Sequence, residues 1–164
     1  MKKIVQKLVI YGMVCFYLFA GINHFITPDF YLPLIPPFFP KPELINILSG
    51  IAEVLLGLGV LYLPTRKRAA WGIFGMLICF IPSHVYFIQV GSCIEGVLCA
   101  PEWMGWVRLL VFHPILLFWA YWVSNNDSVV NWFLVNYEQQ EVVFFSLPIH
   151  LVRSIYRIFF QIDF

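Results

Sequence analysis

The sequence predicts an all-α, polytopic membrane protein: a bundle of four transmembrane helices followed by a cytoplasmic amphipathic tail. Three observations lead there. The 164-residue chain is 61% hydrophobic and 12% charged, against about 45–50% and about 25% in soluble domains. Four apolar runs have the roughly 17–25 residues needed to cross a hydrocarbon core about 30 Å thick. Basic residues alternate from one connection to the next. The same composition excludes disorder, because so apolar a chain does not stay solvated. A net charge of +1 gives no electrostatic footprint for nucleic acid.

The first span runs from Leu8 to Phe25, behind Lys2, Lys3 and Lys7. It is read as a mature helix rather than a cleaved leader, since no small-x-small cleavage site follows it. The first connection, Thr27 to Glu43, holds six of the eleven prolines. Prolines fix φ and remove donors, so an extended, stiff segment is expected. Its aromatics, Phe30, Tyr31, Phe38 and Phe39, suit a membrane interface. It is read as an interfacial loop over the outer end of the bundle, with a gating lid as the alternative.

The second span is Leu44 to Leu63 and the third Ala69 to Val90. The short connection Pro64–Arg68 between them requires antiparallel neighbours. The fourth span is Trp103 to Val123. Backbone polar groups must be paired within lipid, so each run is a helix; the alternating ten-residue segments of a β-barrel do not occur. Arg66, Lys67 and Arg68 fill the second connection, whereas the first has only Lys41 and the third has no Lys or Arg. Positive charge favours the inside, so both termini are expected in the cytoplasm.

Residues 1–123 thus form the membrane domain and 124–164 a cytoplasmic tail. Within the tail, His150, Arg153, Ser154, Arg157 and Gln161 recur at helical spacing among apolar residues. An amphipathic helix on the cytoplasmic leaflet is expected.

Ionisable groups within lipid usually face the bundle and have partners. At about 1.5 Å per residue, Glu53 lies roughly 13–14 Å below the outer end of its helix. His24, His84, Arg108 and His113 also fall in the outer half of the membrane or near its midplane. Glu53 is expected to pair with Arg108, because a lone buried charge is costly. Arg108 and His113, five residues apart, lie about 140° apart on an ideal helix, although Pro114 can bend it. Gly12, Ala20 and His24 lie on one stripe of the first helix, and Ser49, Glu53 and Gly57 on one stripe of the second; small residues on those stripes suit close packing. A structural polar network, a ligand or redox pocket, and a proton or ion pathway therefore stand as alternatives. The three span histidines sit on separate helices without local ligand spacing, so no metal is implied.

Cys15 and Cys79 lie within spans, where a buried thiol is an inert apolar residue. Cys93 and Cys99 share the outer loop, where oxidising conditions favour a disulfide. A redox-active pair is the alternative, although C-x5-C is not the C-x-x-C of reactive thiols.

Several motifs then resemble a known family. Gly21-x-x-His24-Phe25, Pro28-x-x-Tyr31, Ile35-Pro36-Pro37, Ser49-Gly50-x-x-Glu53-x-x-Leu56-Gly57, Pro64-x-Arg66, Ala69-Ala70-Trp71-Gly72 and Arg108-Leu109 follow in order. Together they are similar to the DoxX-like family over residues 5 to 123. The resemblance implies a four-helix bacterial inner-membrane protein, associated with quinone- or thiol-linked redox systems as a subunit or accessory factor. It places motif residues at His24, Glu53 and Arg108. The chain departs from the family's pattern at Leu110-Val111-Phe112-His113-Pro114 and in the tail.

The expectation is therefore a redox-associated membrane protein in contact with lipid and with membrane redox partner proteins. Its pocket of His24, Glu53, His84 and Arg108, with His113 nearby, would take a quinone-like head group; no ligand motif implies a bound cofactor. Whether it is an enzyme is left open. The rival expectation is a non-catalytic scaffold or small transporter with a structural Glu53–Arg108 network.

Overall fold

Lipid leaves a helix to satisfy its own backbone, so packing here depends on which residues let two helices approach. The structure, a computed structural model, describes residues 2–125. In chain order it contains α1 (Lys2–Ile26), α2 (Pro28–Tyr31), a 3-10 turn (Leu32–Leu34), α3 (Pro42–Leu61) and α4 (Arg66–Gln89). A hairpin of β1 (Cys93–Ile94) and β2 (Leu98–Cys99) follows. The last elements are α5 (Glu102–Val107), a π-helical turn (Arg108–Phe112) and α6 (His113–Asn125). The last three form one continuous rod.

Ile4–Ile26, Pro42–Leu61, Arg66–Gln89 and Glu102–Asn125 are long and apolar enough to cross a membrane. These are the four spans expected, with changed ends. The sequence-predicted tail helix and its basic face lie outside the described residues.

On α1 the buried positions are Ile10, Met13, Val14, Tyr17, Gly21 and His24, spaced by three and four. They face Asn46, Gly50, Glu53, Gly57 and Val60 of α3. A Cβ on Gly21 would stand 2.8 Å from the Gly50 carbonyl, and one on Gly50 2.9 Å from the Gly21 carbonyl. The two backbones therefore touch, which only glycine permits. The expected stripe of Gly12, Ala20 and His24 is corrected: Gly12 lies toward the Trp119 ring of α6. Helix α3 also packs on α4, and α4 on α6. The Trp119 indole donates to the Val9 carbonyl at 3.2 Å and ties α6 to α1.

The outer surface carries Leu8, Phe19, Leu48, Leu55, Leu110 and Phe118 among other exposed apolar side chains. Lipid tails are as apolar as these residues, so such a surface is stable only there. Cys15 and Cys79, expected as buried thiols, are free and exposed on it.

Residues 27–41 and 91–101 lie at one end of the bundle, the loop end. Lys7 and the turn Tyr62–Thr65 mark the other, the turn end. The loop-end segment is not extended as expected. Pro28 opens α2 and Pro33 sits in the first turn of the 3-10 segment. At those positions proline's fixed φ suits a helix, and its missing N–H had no partner to lose. Leu34 and Pro36 are buried, and the 3-10 turn packs on α3 and α4.

At the turn end, Arg66 is not a loop cation but the first residue of α4, and it is 3% exposed. Its Nε donates to the Val60 carbonyl at 2.9 Å and its Nη2 to the Leu61 carbonyl at 3.4 Å. The last turn of α3 has carbonyls without helical partners, and a cation there opposes the negative end of the helix dipole. Thr65 adds a hydroxyl bond to the Gly59 carbonyl at 2.7 Å.

The hairpin joins α4 to α5. Cys93 and Cys99 oppose each other in its register and are joined by a disulfide. Gly91 and Gly96 have positive φ, the conformation that glycine adopts without strain.

Candidate functional site

The Gly21–Gly50 contact places His24, three residues further along α1, against Asn46 and Glu53 of α3. Asn46 Nδ2 donates to the His24 backbone carbonyl at 3.0 Å. A carbonyl only accepts, so the amide's orientation is settled. Its Oδ1 then faces His24 Nδ1 at 2.6 Å. An amide oxygen only accepts as well, so His24 carries a proton on Nδ1. On the other side of the ring, Nε2 lies 3.6 Å from Glu53 Oε2. Both groups are buried, at 8% and 5% exposure. Tyr31 of α2 stacks on the ring, with centroids 3.7 Å apart and planes inclined by 24°. Asn23 holds Tyr31 in place by donating to its hydroxyl at 3.0 Å.

The tautomer has a consequence for charge. Neutral His24 presents a lone pair to Glu53, and ionised Glu53 presents another. Two facing acceptors attract only when a proton lies between them, on either partner. Glu53 Oε2 has no hydrogen-bond partner among the described residues, and one proton on either group would supply it.

The expected Glu53–Arg108 ion pair is not formed. Among the described residues Glu53 pairs with His24 instead. Depths close enough for long side chains to bridge do not make two helices neighbours: α1 crosses α3 backbone to backbone, whereas the fourth span packs on α4. The Arg108 guanidinium instead lies over the Phe87 ring, 5.8 Å from its centroid. No hydrogen bond or ion pair to it occurs among the described residues.

The π-helical turn settles the angle between Arg108 and His113. The His113 N–H donates to the Arg108 carbonyl, five residues back rather than four. One wide turn therefore brings the two residues onto one side of the rod. Pro114, just beyond, has no N–H to offer, and π-turns often accompany functional sites. His113 is 3% exposed and meets His84 of α4 edge to face, with ring centroids 4.8 Å apart. Buried ring nitrogens, His84 Nδ1 and His113 Nε2, lack hydrogen-bond partners among the described residues.

These groups surround one cavity of about 160 Å³ in the loop-end half of the bundle. His24, Glu53, His84 and Arg108 all line it, one from each span. Of the five span residues singled out from sequence, only His113 lies outside the lining, behind His84. The sequence reading missed Asn46, Tyr31, Ser49 and Ser83 as lining residues. Asn46 was legible in principle: it precedes Glu53 by seven residues, two turns on the same face. Among the described residues no three His, Cys, Asp or Glu side chains are placed to hold a metal ion.

A family model described as a domain of unknown function, DUF8561, matches residues 13–124. The matched stretch covers more than half of the chain and contains every residue that lines the cavity. No curated protein and no solved structure matches the chain.

Proposed function

We propose that this chain, which belongs to the DUF8561 family, binds a quinone-like ring head group in its loop-end cavity as part of a membrane redox system. The observation that carries the reading is the convergence of His24, Glu53, His84 and Arg108, from four separate spans, on one cavity. Four costly polar groups in lipid are retained where they serve one ligand. The fit supports it. About 160 Å³ is close to the roughly 150 Å³ that holds a benzene ring. Tyr31 and Phe80 add aromatic side chains to the lining, while Arg108 and the His24–Glu53 pair offer a donor and a proton site.

The resemblance to the DoxX-like family supports the same direction. On this reading the protein is a subunit or accessory factor of a quinone- or thiol-linked system in a bacterial inner membrane. Both termini face the cytoplasm, as the basic residues at the turn end favour. Redox partner proteins would then dock from within the membrane or at the loop end.

The contrary reading, a scaffold or small transporter, draws support from the Asn46–His24–Glu53 set, which also ties α1 to α3. Titrating the detergent-solubilised full chain with a short-chain quinone, followed by tryptophan quenching, separates them. Saturable quenching that Arg108→Lys and Glu53→Gln weaken in a folded protein is expected. Unsaturable quenching, equal in all three proteins, would remove the head-group reading and leave the scaffold.

A further inference from the structure

We propose that the cavity holds a small weak acid as its oxyanion, with the anionic oxygen on Arg108 and one proton kept between His24 and Glu53. The inference rests on the head-group reading and adds to it the charge state of the bound ring. A hydroquinone or phenol fits; a fully oxidised quinone lacks the proton to give.

The charges around the cavity lead to this. Arg108 is always a cation, it lines the cavity, and among the described residues no acceptor meets its guanidinium. The carboxylate that would ordinarily neutralise it, Glu53, is turned to His24. Beside Glu53 stand His24 and Tyr17 of α1, with Tyr31 stacked on His24, and His84 of α4 and Arg108 of the π-turn share its cavity. None of these besides Arg108 carries a fixed charge. The cavity therefore has one permanent cation and one site that takes up a single proton.

The bound state balances. A ligand O–H bond breaks heterolytically, its electron pair stays on the ligand oxygen, and the proton bonds to His24 Nε2 or Glu53 Oε2. Before transfer the cavity holds Glu53⁻ and Arg108⁺; afterwards it holds the oxyanion and Arg108⁺. Net charge is zero throughout, and no electron moves. In a low-dielectric interior, where an uncompensated charge is costly, that neutrality favours the transfer. Two routes reach the same state. A neutral acid arriving from lipid gives up its own proton, while an anion arriving from water meets a pair already protonated.

A ring whose ionised form is coloured reads this directly. The full chain in detergent or a nanodisc is titrated with 4-nitrophenol, at pH values one and two units below the probe's own ionisation. The expected result is a visible phenolate band that grows with protein and saturates. Arg108→Gln should weaken binding about tenfold or more, the usual scale for a charge-assisted hydrogen bond. Glu53→Gln should leave the probe neutral when bound. Affinity that is flat below the probe's ionisation shows that the empty pair holds no proton and takes the ligand's own, and affinity that falls with the free phenolate shows that the empty pair is already protonated.

Bound probe that stays in the neutral phenol form in the unaltered protein overturns the proposal, whatever the variants do. If the short-chain quinone still saturates, the head-group reading survives that result. If neither ligand saturates, both readings fall.

Discussion

Two arginines, Arg66 buried and Arg108 half-buried, stand at opposite halves of this bundle and are treated differently. Arg66, at the turn end, gives its donors to the Val60 and Leu61 carbonyls and closes the end of α3. Arg108, in the loop-end half, lies over the Phe87 ring and lines a cavity. The first is bonded to the fold itself; the second has no hydrogen bond to its guanidinium among the described residues. Buried polar groups are ordinarily paired within the protein, as Arg66 is; on the proposed reading Arg108 keeps its donors for a ligand.

The largest expected effect tests why the loop-end half has its geometry. Gly50→Leu places a side chain where a Cβ already stands 2.8 Å from His24 Cβ and 2.9 Å from the Gly21 carbonyl. We expect loss of most monodisperse protein in size-exclusion chromatography. Gly75→Leu, which meets nothing within 4 Å, should be neutral.

Next in size is the direct comparison of the arginines. Arg66→Gln should cost about 3 kcal/mol, since hydrogen bonds to charged groups are each worth about 1.5–3 kcal/mol. Arg108→Gln should change stability by less than about 1 kcal/mol and act on binding instead. Thermal unfolding of both variants in one detergent decides it, and equal losses would end the distinction.

Smaller again is the hairpin that carries α4 into α5. Cys93→Ser opens a short disulfide loop, worth about 2 kcal/mol by chain entropy. Hydrogen exchange should quicken over residues 89–101 and stay unchanged over 62–66. Faster exchange at both ends would mean that the halves are not independent.

The smallest effect concerns Asn46. Asn46→Leu removes the acceptor that keeps a proton on His24 Nδ1, at about 1–2 kcal/mol. Nitrogen chemical shifts of the His24 ring should show the Nδ1 proton in the unaltered protein and a mixed tautomer in the variant. An identical tautomer in both would show that Asn46 does not set it.

The four spans were legible because lipid imposes length and polarity on every crossing. Residue partners were less so. Depth brought Glu53 and Arg108 together on paper, but neighbourhood is decided by Gly21 and Gly50, and a glycine contact has no polar signature. Arg66 counted as a loop charge because orientation rules sum basic residues without asking what they bond. The prolines of the first connection were read as extended, yet Pro28 and Pro33 stand where a short helix begins. Ideal helical spacing separated Arg108 from His113; the turn that reunites them breaks that spacing, and Pro114 was its visible sign.

That wide turn has a meaning for comparing sequences. A bond reaching five residues back accommodates one residue more than an α-helical turn would, so the segment behaves as a built-in single-residue insertion. A relative lacking it would match this chain well on either side, yet would need a gap somewhere in 108–112. Where that gap is drawn decides whether an arginine or an aliphatic neighbour is aligned with the cavity. In this family a shift of one column there would be a change of chemistry, not a detail of alignment.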